Sequence, residues 1–221
     1  MSAGFTRPAL AVIGGTGTLG SGLARRWLKA GYSVTIGSRD PARAWETVTA
    51  LAQQTGCGDV HAAGYAQAAA SADCLVLTIP FAAQPAVLDA IGPAMRGQLV
   101  LDTTVPLMPP AATMVRLPEV GSAAVAVQER LGAAARVVSA FHNVPARRLD
   151  EDIDCDVLVF GDAVGDREVA ITLVEAAGLR GVHGGPLANS IAAEALTPVL
   201  IGINRYYSIG NAGLRITGLE R

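Results

Sequence analysis

Lysine is nearly missing from this chain of 221 residues, where Lys29 stands alone. Aromatic residues are scarce as well, at 5% against 51% hydrophobic overall. The interior must therefore be built from Ala, Val, Leu and Ile, as in α/β proteins with buried parallel strands. Neither sign of charge dominates: 17 basic residues face 19 acidic ones, for a net charge of -2. That balance gives no electrostatic reason to expect nucleic acid or a membrane surface as a partner. Cys57, Cys74 and Cys155 are odd in number and far apart, which argues against a disulfide framework and against a zinc site. They read as core filler in a reducing cytoplasm. No two of His61, His142 and His183 stand at metal-ligand spacing, so no metal is expected. No apolar run reaches the roughly 18 to 20 residues that cross a bilayer without a charge or proline intervening. Met1 to Pro8 is too short and polar for a signal peptide. The expectation is a cytoplasmic protein whose partners are small molecules.

What is present is alternation. Ala9 to Ile13, Ser33 to Ile36, Cys74 to Ile79, Leu99 to Leu101, Arg136 to Ala140 and Val157 to Phe160 read as short buried strands. Between them Leu19 to Ala30, Pro41 to Gln54, Ala83 to Ala90, Glu119 to Ala135 and Asp166 to Ala177 read as helices. Strand, helix, strand from the start predicts an α/β fold with a Rossmann-type, doubly wound parallel sheet. Pro106 to Pro118 reads as a loop following a strand, on the side where such sheets bind ligands. From Gly184 the alternation stops, and Pro186 to Arg205 reads as one long helical region carrying Pro198. The predicted division is a nucleotide-binding domain over 1–150 and a smaller C-terminal part, a helical extension, over 151–221.

Gly15, Gly17 and Gly20 form G-x-G-x-x-G directly after the first strand and before the first helix, the context that the dinucleotide fingerprint demands. Gly15 is expected to make the turn, Gly17 to admit a pyrophosphate, and Gly20 to let helix and strand pack closely. The helix N-terminus would supply unpaired N–H groups, with Thr16 and Thr18 as added hydroxyl donors. Ser38 and Arg39 occupy the tip of the second strand, where an NAD enzyme usually carries an acidic residue. A guanidinium grips a 2′-phosphate in bidentate fashion, so NADP is the expected cofactor, with Arg43 in support. Asp40 next door leaves an NAD ribose as the alternative. Ile79, Pro80 and Phe81 end a later strand as candidate cofactor walls, and Asp102 to Pro106 close the next in the same way. Ala140 to Arg148 combine His142, an amide and two arginines after another strand, making a candidate second-ligand site in which His142 is a possible general acid.

The lack of lysine then excludes whole chemistries. Short-chain dehydrogenases need a Tyr-x-x-x-Lys pair, and the β-hydroxyacid dehydrogenases, whose Rossmann pattern is similar, use a catalytic lysine. A G-x-S-x-G elbow is missing too. A reaction that needs little acid-base apparatus fits best, and direct hydride exchange between two bound cofactors is one.

Taken together, Ile13 to Gly20, Gly37 to Arg39, Val76 to Pro80, Val138 to Ala146, Gly185 to Ser190 and Leu196 to Pro198 resemble the NADPH-dependent coenzyme F420 reductases, nearly end to end. The resemblance implies hydride transfer between NADP(H) and the deazaflavin coenzyme F420. It implies pyrophosphate contacts from Thr16 to Leu19, 2′-phosphate contacts at Ser38, Arg39 and Arg43, and nicotinamide-side contacts at Ile79, Phe81, Val105 and Ala140. It further implies a deazaflavin cleft walled by His142, Val144, Pro145 and the Asn189 region, and a homodimer formed through the C-terminal helical region. Arg147, Arg148 and Arg205 are candidates for holding the anionic tail of the deazaflavin. Phe141 and Asn143 beside His142, Phe81, and the aromatic Asn204 to Tyr207 depart from the family pattern. Reduction of another acceptor, such as free flavin or a ferric complex, and a catalytically silent NADP sensor remain as alternatives.

Overall fold

The computed structural model describes residues 7–107 and 112–219. Met1 to Thr6, part of the segment expected to be too short and polar for a signal peptide, and residues 108–111 of the predicted loop lie outside the described residues. The chain runs β1 (Leu10–Ile13), α1 (Thr18–Lys29), β2 (Val34–Gly37), α2 (Pro41–Thr55), β3 (Val60–Ala63), α3 (Tyr65–Ser71), β4 (Cys74–Leu77), α4 (Gln84–Ile91), β5 (Gln98–Asp102), α5 (Ala123–Leu131) and β6 (Ala135–Ser139). It continues through β7 (Asp156–Gly161), α6 (Val164–Ala176), β8 (Arg180–Gly185) and α7 (Ser190–Tyr206). The strands form one sheet in the order β3-β2-β1-β4-β5-β6-β7-β8. Its first six strands are in the doubly wound dinucleotide-binding order, with the switch point between β1 and β4.

Both faces of the sheet are covered, which is why β1 and β4 are apolar at every position rather than at alternate ones. Leu10 and Val12 pack into one core with Trp27 of α1 and Leu173 of α6. Ala11 and Ile13 pack into the other with Ala68, Leu88 and Val127 of α3, α4 and α5. Arg26 of α1 donates to the backbone oxygens of Leu149, Glu151 and Ala177, tying the loop after β6 to the end of α6.

All neighbours are parallel except β6 and β7, which run antiparallel and overlap only at Val138–Gly161 and Ser139–Phe160. The first residues of β7 therefore project past the carboxyl end of β6. Three elements did not register in the sequence pattern: β3, α3 and β8. The two strands sit at the sheet edges with half-exposed residues, so neither needs a continuous apolar run. The predicted helix over Glu119 to Ala135 is shorter at both ends, because Ser122 caps α5 by accepting from the Val125 N–H, and Ala135 already belongs to β6.

Leu187–Tyr206 is long and apolar enough to cross a membrane by length and composition. It carries Glu194, however, whose fully buried carboxyl is committed to the N-terminus of α5.

Candidate functional site

Carboxyl ends of β1, β2, β4, β5 and β6 converge at one edge, where parallel sheets bind ligands. At the end of β1 the left-handed residue is Gly14, with φ 81°, and not Gly15 as the fingerprint suggested. A Cβ on Gly14 would lie 2.7 Å from the Thr78 oxygen. Gly15 is confined instead by crowding, since a Cβ there would lie 3.0 Å from the Ile36 side chain. Gly20 packs α1 onto the end of β4: its Cβ would meet Thr78 Oγ1 at 2.5 Å. Gly17 is the N-cap of α1, no side chain caps the helix, and its first turn holds no acidic residue. Gly17 and Thr18 are exposed, with Thr16 and Leu19 half-buried beside them. A helix N-terminus left bare in this way fits an anion.

The tip of β2 stands next to it. Ser38 is buried, and its hydroxyl accepts from the Asp40 N–H at 3.1 Å. Asp40 caps α2, its Oδ1 accepting from the Ala42 and Arg43 N–H groups at 3.0 and 3.3 Å. That carboxylate is committed to the helix, while Arg39 and Arg43 are exposed and appear in none of the ion pairs among the described residues. Two unpaired guanidinium groups beside a bare helix N-terminus suit a nucleotide carrying an extra phosphate.

Further along the edge Ile79 is buried against Gly14, Pro80 is exposed, and Phe81 opens a short 3-10 turn before α4. The end of β5 is fastened to β4 by Thr103, whose N–H and hydroxyl both donate to the Leu77 oxygen. Val105 follows, half-buried. Ala140 is fully buried, and its N–H donates to the Asp102 oxygen at 3.1 Å.

The loop after β6 and α7 enclose a cavity of about 610 Å³. His142, Val144, Pro145, Arg147, Leu200 and Arg205 contribute to its wall, so the structure brings together three of the four residues expected for the second ligand. Asn189 is exposed outside that wall, just before α7, and its amide donates to the Gly184 oxygen at 3.3 Å. Arg148 is held by Glu151 at 2.5 Å. A second cavity, of about 500 Å³, lies at the opposite edge of the sheet among Tyr32, Cys74, Arg136 and Asp166. It is remote from every predicted residue.

His142 is buried, and burial depresses its imidazole to about 4, so the ring is neutral at ordinary pH. Asp102, fully buried at the carboxyl end of β5, is pushed up to about 7 by desolvation, against the pull of the Thr104 hydroxyl at 2.7 Å; the charge of Glu194 adds to the rise. Glu194 itself accepts from Ser122 Oγ at 2.7 Å and from the Ala123 and Ala124 N–H groups at 2.7 and 3.2 Å. The sequence points to Asp102 only as part of the strand end Asp102 to Pro106, a candidate cofactor wall, and gives Glu194 no role.

The model of a family described as NADP oxidoreductase, coenzyme F420-dependent, matches residues 9–106. The F420-dependent NADP reductase of Methanothermobacter thermautotrophicus is 39% identical over 220 residues, covering 95% of each chain. The enzyme of the same name from Methanothermobacter marburgensis is 36% identical, covering 95% of this chain and 98% of its own. A crystal structure from Arthrobacter sp. FB24, carrying a provisional assignment as an F420-dependent NADP reductase, superposes with a TM-score of 0.79 at 25% identity, over 95% of this chain and 99% of that one.

Proposed function

The chain belongs to the coenzyme F420-dependent NADP oxidoreductase family, and from that premise we propose how it works as an oxidoreductase moving hydride reversibly between NADP(H) and the deazaflavin coenzyme F420. The observation that carries the NADP half is the bare N-terminus of α1 beside Arg39, with Asp40 already spent on α2. The backbone from Thr16 to Gly20 holds the pyrophosphate, Ser38, Arg39 and Arg43 hold the 2′-phosphate, and Ile79, Pro80, Phe81, Val105 and Ala140 border the nicotinamide.

Residues 1–150 act as the NADP-binding part and residues 151–221 complete the cleft. The cavity between the loop after β6 and α7 takes the deazaflavin, with His142, Val144 and Pro145 against the ring and Asn189 at its approach. Arg147 and Arg205, both exposed on that wall, attract the anionic tail. Hydride passes directly between the two ring systems. The protein's contribution is to hold them face to face and keep bulk solvent from between the rings; the positioning alone is worth several orders of magnitude in rate.

Val199, Ile203, Tyr206, Tyr207 and Ile209 expose apolar surface on α7 and just beyond it, and this supports a homodimer formed through that helix. Three unpaired cysteines support a reducing, cytoplasmic setting.

The test mixes purified protein with NADPH and oxidised F420 and follows the deazaflavin absorbance, with NADH and free flavin in parallel. Bleaching that depends on both NADPH and F420 is the expected result. Tight NADPH binding without bleaching overturns the assignment of the cavity.

A further inference from the structure

We propose that Asp102, Ser139 and His142 enclose an internal water-binding site, and that a proton held there on Asp102 is the one that follows the hydride onto the deazaflavin. The proposal rests on the reading of the 610 Å³ cavity given above. Among the described residues, the buried side-chain atoms without a hydrogen-bond partner are Asp102 Oδ2, Ser139 Oγ and the two ring nitrogens of His142. All of them belong to the carboxyl ends of β5 and β6 and the loop that follows β6. Asp102 and Ser139 are register partners at the carboxyl ends of β5 and β6, so their side chains leave the sheet on the same face. His142 follows three residues later, in a loop fixed to β5 by the hydrogen bond from Ala140 to Asp102.

A carboxyl, a hydroxyl and an imidazole, each buried without a partner at one end of two adjacent strands, are the usual mark of internal water, which needs two to four such neighbours. Their chemistry matches. A neutral imidazole offers one donor and one acceptor, serine offers both, and a protonated carboxyl adds a donor on the oxygen that Thr104 leaves free. The other charged group that faces Asp102 is Glu194 of α7, whose oxygens are taken by Ser122, Ala123 and Ala124. Among the described residues no basic side chain pairs with either acid. Burial and like charge together favour the protonated form of Asp102 near neutral pH.

His142 belongs both to this cluster and to the wall of the 610 Å³ cavity, which makes it the point where the two meet. The balance is simple. NADPH gives up a hydride with its electron pair, and a C–H bond forms on the deazaflavin. The Asp102 O–H bond breaks, the bound water relays the proton, and an N–H bond forms on the same ring. Solvent then reprotonates the carboxylate. In the reverse direction Asp102 receives the proton.

Two measurements test this, one of them independent of turnover. Infrared difference spectra of the protein without cofactors, taken from about pH 5 to about pH 9, should show a protonated carboxyl that titrates near 7 and is absent from Asp102→Asn. The same substitution should slow F420 reduction by NADPH about a hundredfold and remove its decline above neutral pH, while NADPH affinity stays within about twofold. Ser139→Ala, which spares the acid but removes one partner of the water, should lie between. A carboxyl already ionised at about pH 5 overturns the proposal, as does an Asp102→Asn enzyme with the parent pH profile. Should Asp102→Asn fail to fold, the titration of the unsubstituted protein and the Ser139→Ala rates decide. A wild-type protein that shows the carboxyl band but bleaches no F420 refutes the cavity reading, and with it the destination of the proton, while leaving the acid itself in place.

Discussion

Trp27 and Phe141 meet edge to face, with ring centroids 6.1 Å apart and planes inclined at 80°. The first comes from α1, where its indole N–H also donates to the Leu173 oxygen at 2.8 Å. The second sits immediately before His142 with φ 67°, a left-handed backbone that a bulky residue rarely adopts. The ring packing therefore holds the loop that lines the 610 Å³ cavity in a conformation its backbone would not choose. Phe141→Ala is expected to cost about 3 kcal/mol in urea unfolding. Phe141→Gly should be no worse, because glycine accepts positive φ freely, reversing the usual order of the two.

Cofactor choice should rest on Arg39. Arg39→Ala is expected to weaken NADPH binding by roughly ten- to a hundredfold and leave NADH unchanged, with a smaller effect from Arg43→Ala. Asp40→Ala should remove the α2 cap at a cost of about 1 kcal/mol without changing the NADPH to NADH ratio. Paired binding titrations and thermal melts read both effects.

Gly20→Ala places a methyl group 2.5 Å from Thr78 Oγ1 and 2.8 Å from the Gly15 Cα. A loss of about 1 to 3 kcal/mol and a marked loss of NADPH affinity are expected, since α1 must lift off β4. Adding Thr78→Ala should restore only part of the stability, because the clash with the glycine backbone remains. A double-mutant cycle measures that fraction.

Glu194→Gln should cost about 1 to 3 kcal/mol, because an amide nitrogen in place of one oxygen would face the N–H of Ala123 or Ala124 or the Ser122 hydroxyl. Chemical denaturation gives the loss, and Glu194→Ala should be at least as damaging.

The two buried titratable groups of the edge pull stability in opposite directions with pH. Asp102 is raised to about 7, so folding takes up its proton and that stabilisation fades as pH climbs from the ordinary aspartate value through about 7. His142 is depressed to about 4, so its neutral form stabilises the fold above its ordinary value and this is lost as pH falls toward about 4. Between these limits they offset one another. His142→Gln should expose a stability that declines with pH, and Asp102→Asn one that rises, each by at most about 1.4 kcal/mol per pH unit. Parallel profiles for the two variants would contradict the account.

The sequence was most readable where the backbone itself limits the residue. Gly17 and Gly20 stand where a nucleotide must approach or a helix must touch a strand, and the apolar β1 and β4 are covered on both sides. Gly14 was passed over because the fingerprint starts counting one residue later. β3 and β8 left no trace because an edge strand needs to hide only part of itself. Glu194 escaped because its partners lie 70 to 72 residues away, on a helix with no reason to be adjacent until the chain is folded. Asp102 looked like an ordinary strand end. Its importance comes from burial beside Ser139, which the register of two strands creates and no local pattern announces.

Every other seam of the sheet runs along the strands it joins, whereas β6 and β7 hold each other only through Val138–Gly161 and Ser139–Phe160. In backbone terms this is the shortest joint of the sheet. Beside the loop of His142, what holds β7, α6 and β8 to the parallel strands is mostly side chains: Leu173 packs in one core with Leu10 and Trp27, and Trp27 and Arg26 donate to the Leu173 and Ala177 oxygens. Any widening of the 610 Å³ cavity that moves β7 away from β6 would break two register pairs of backbone but would also have to part α6 from α1.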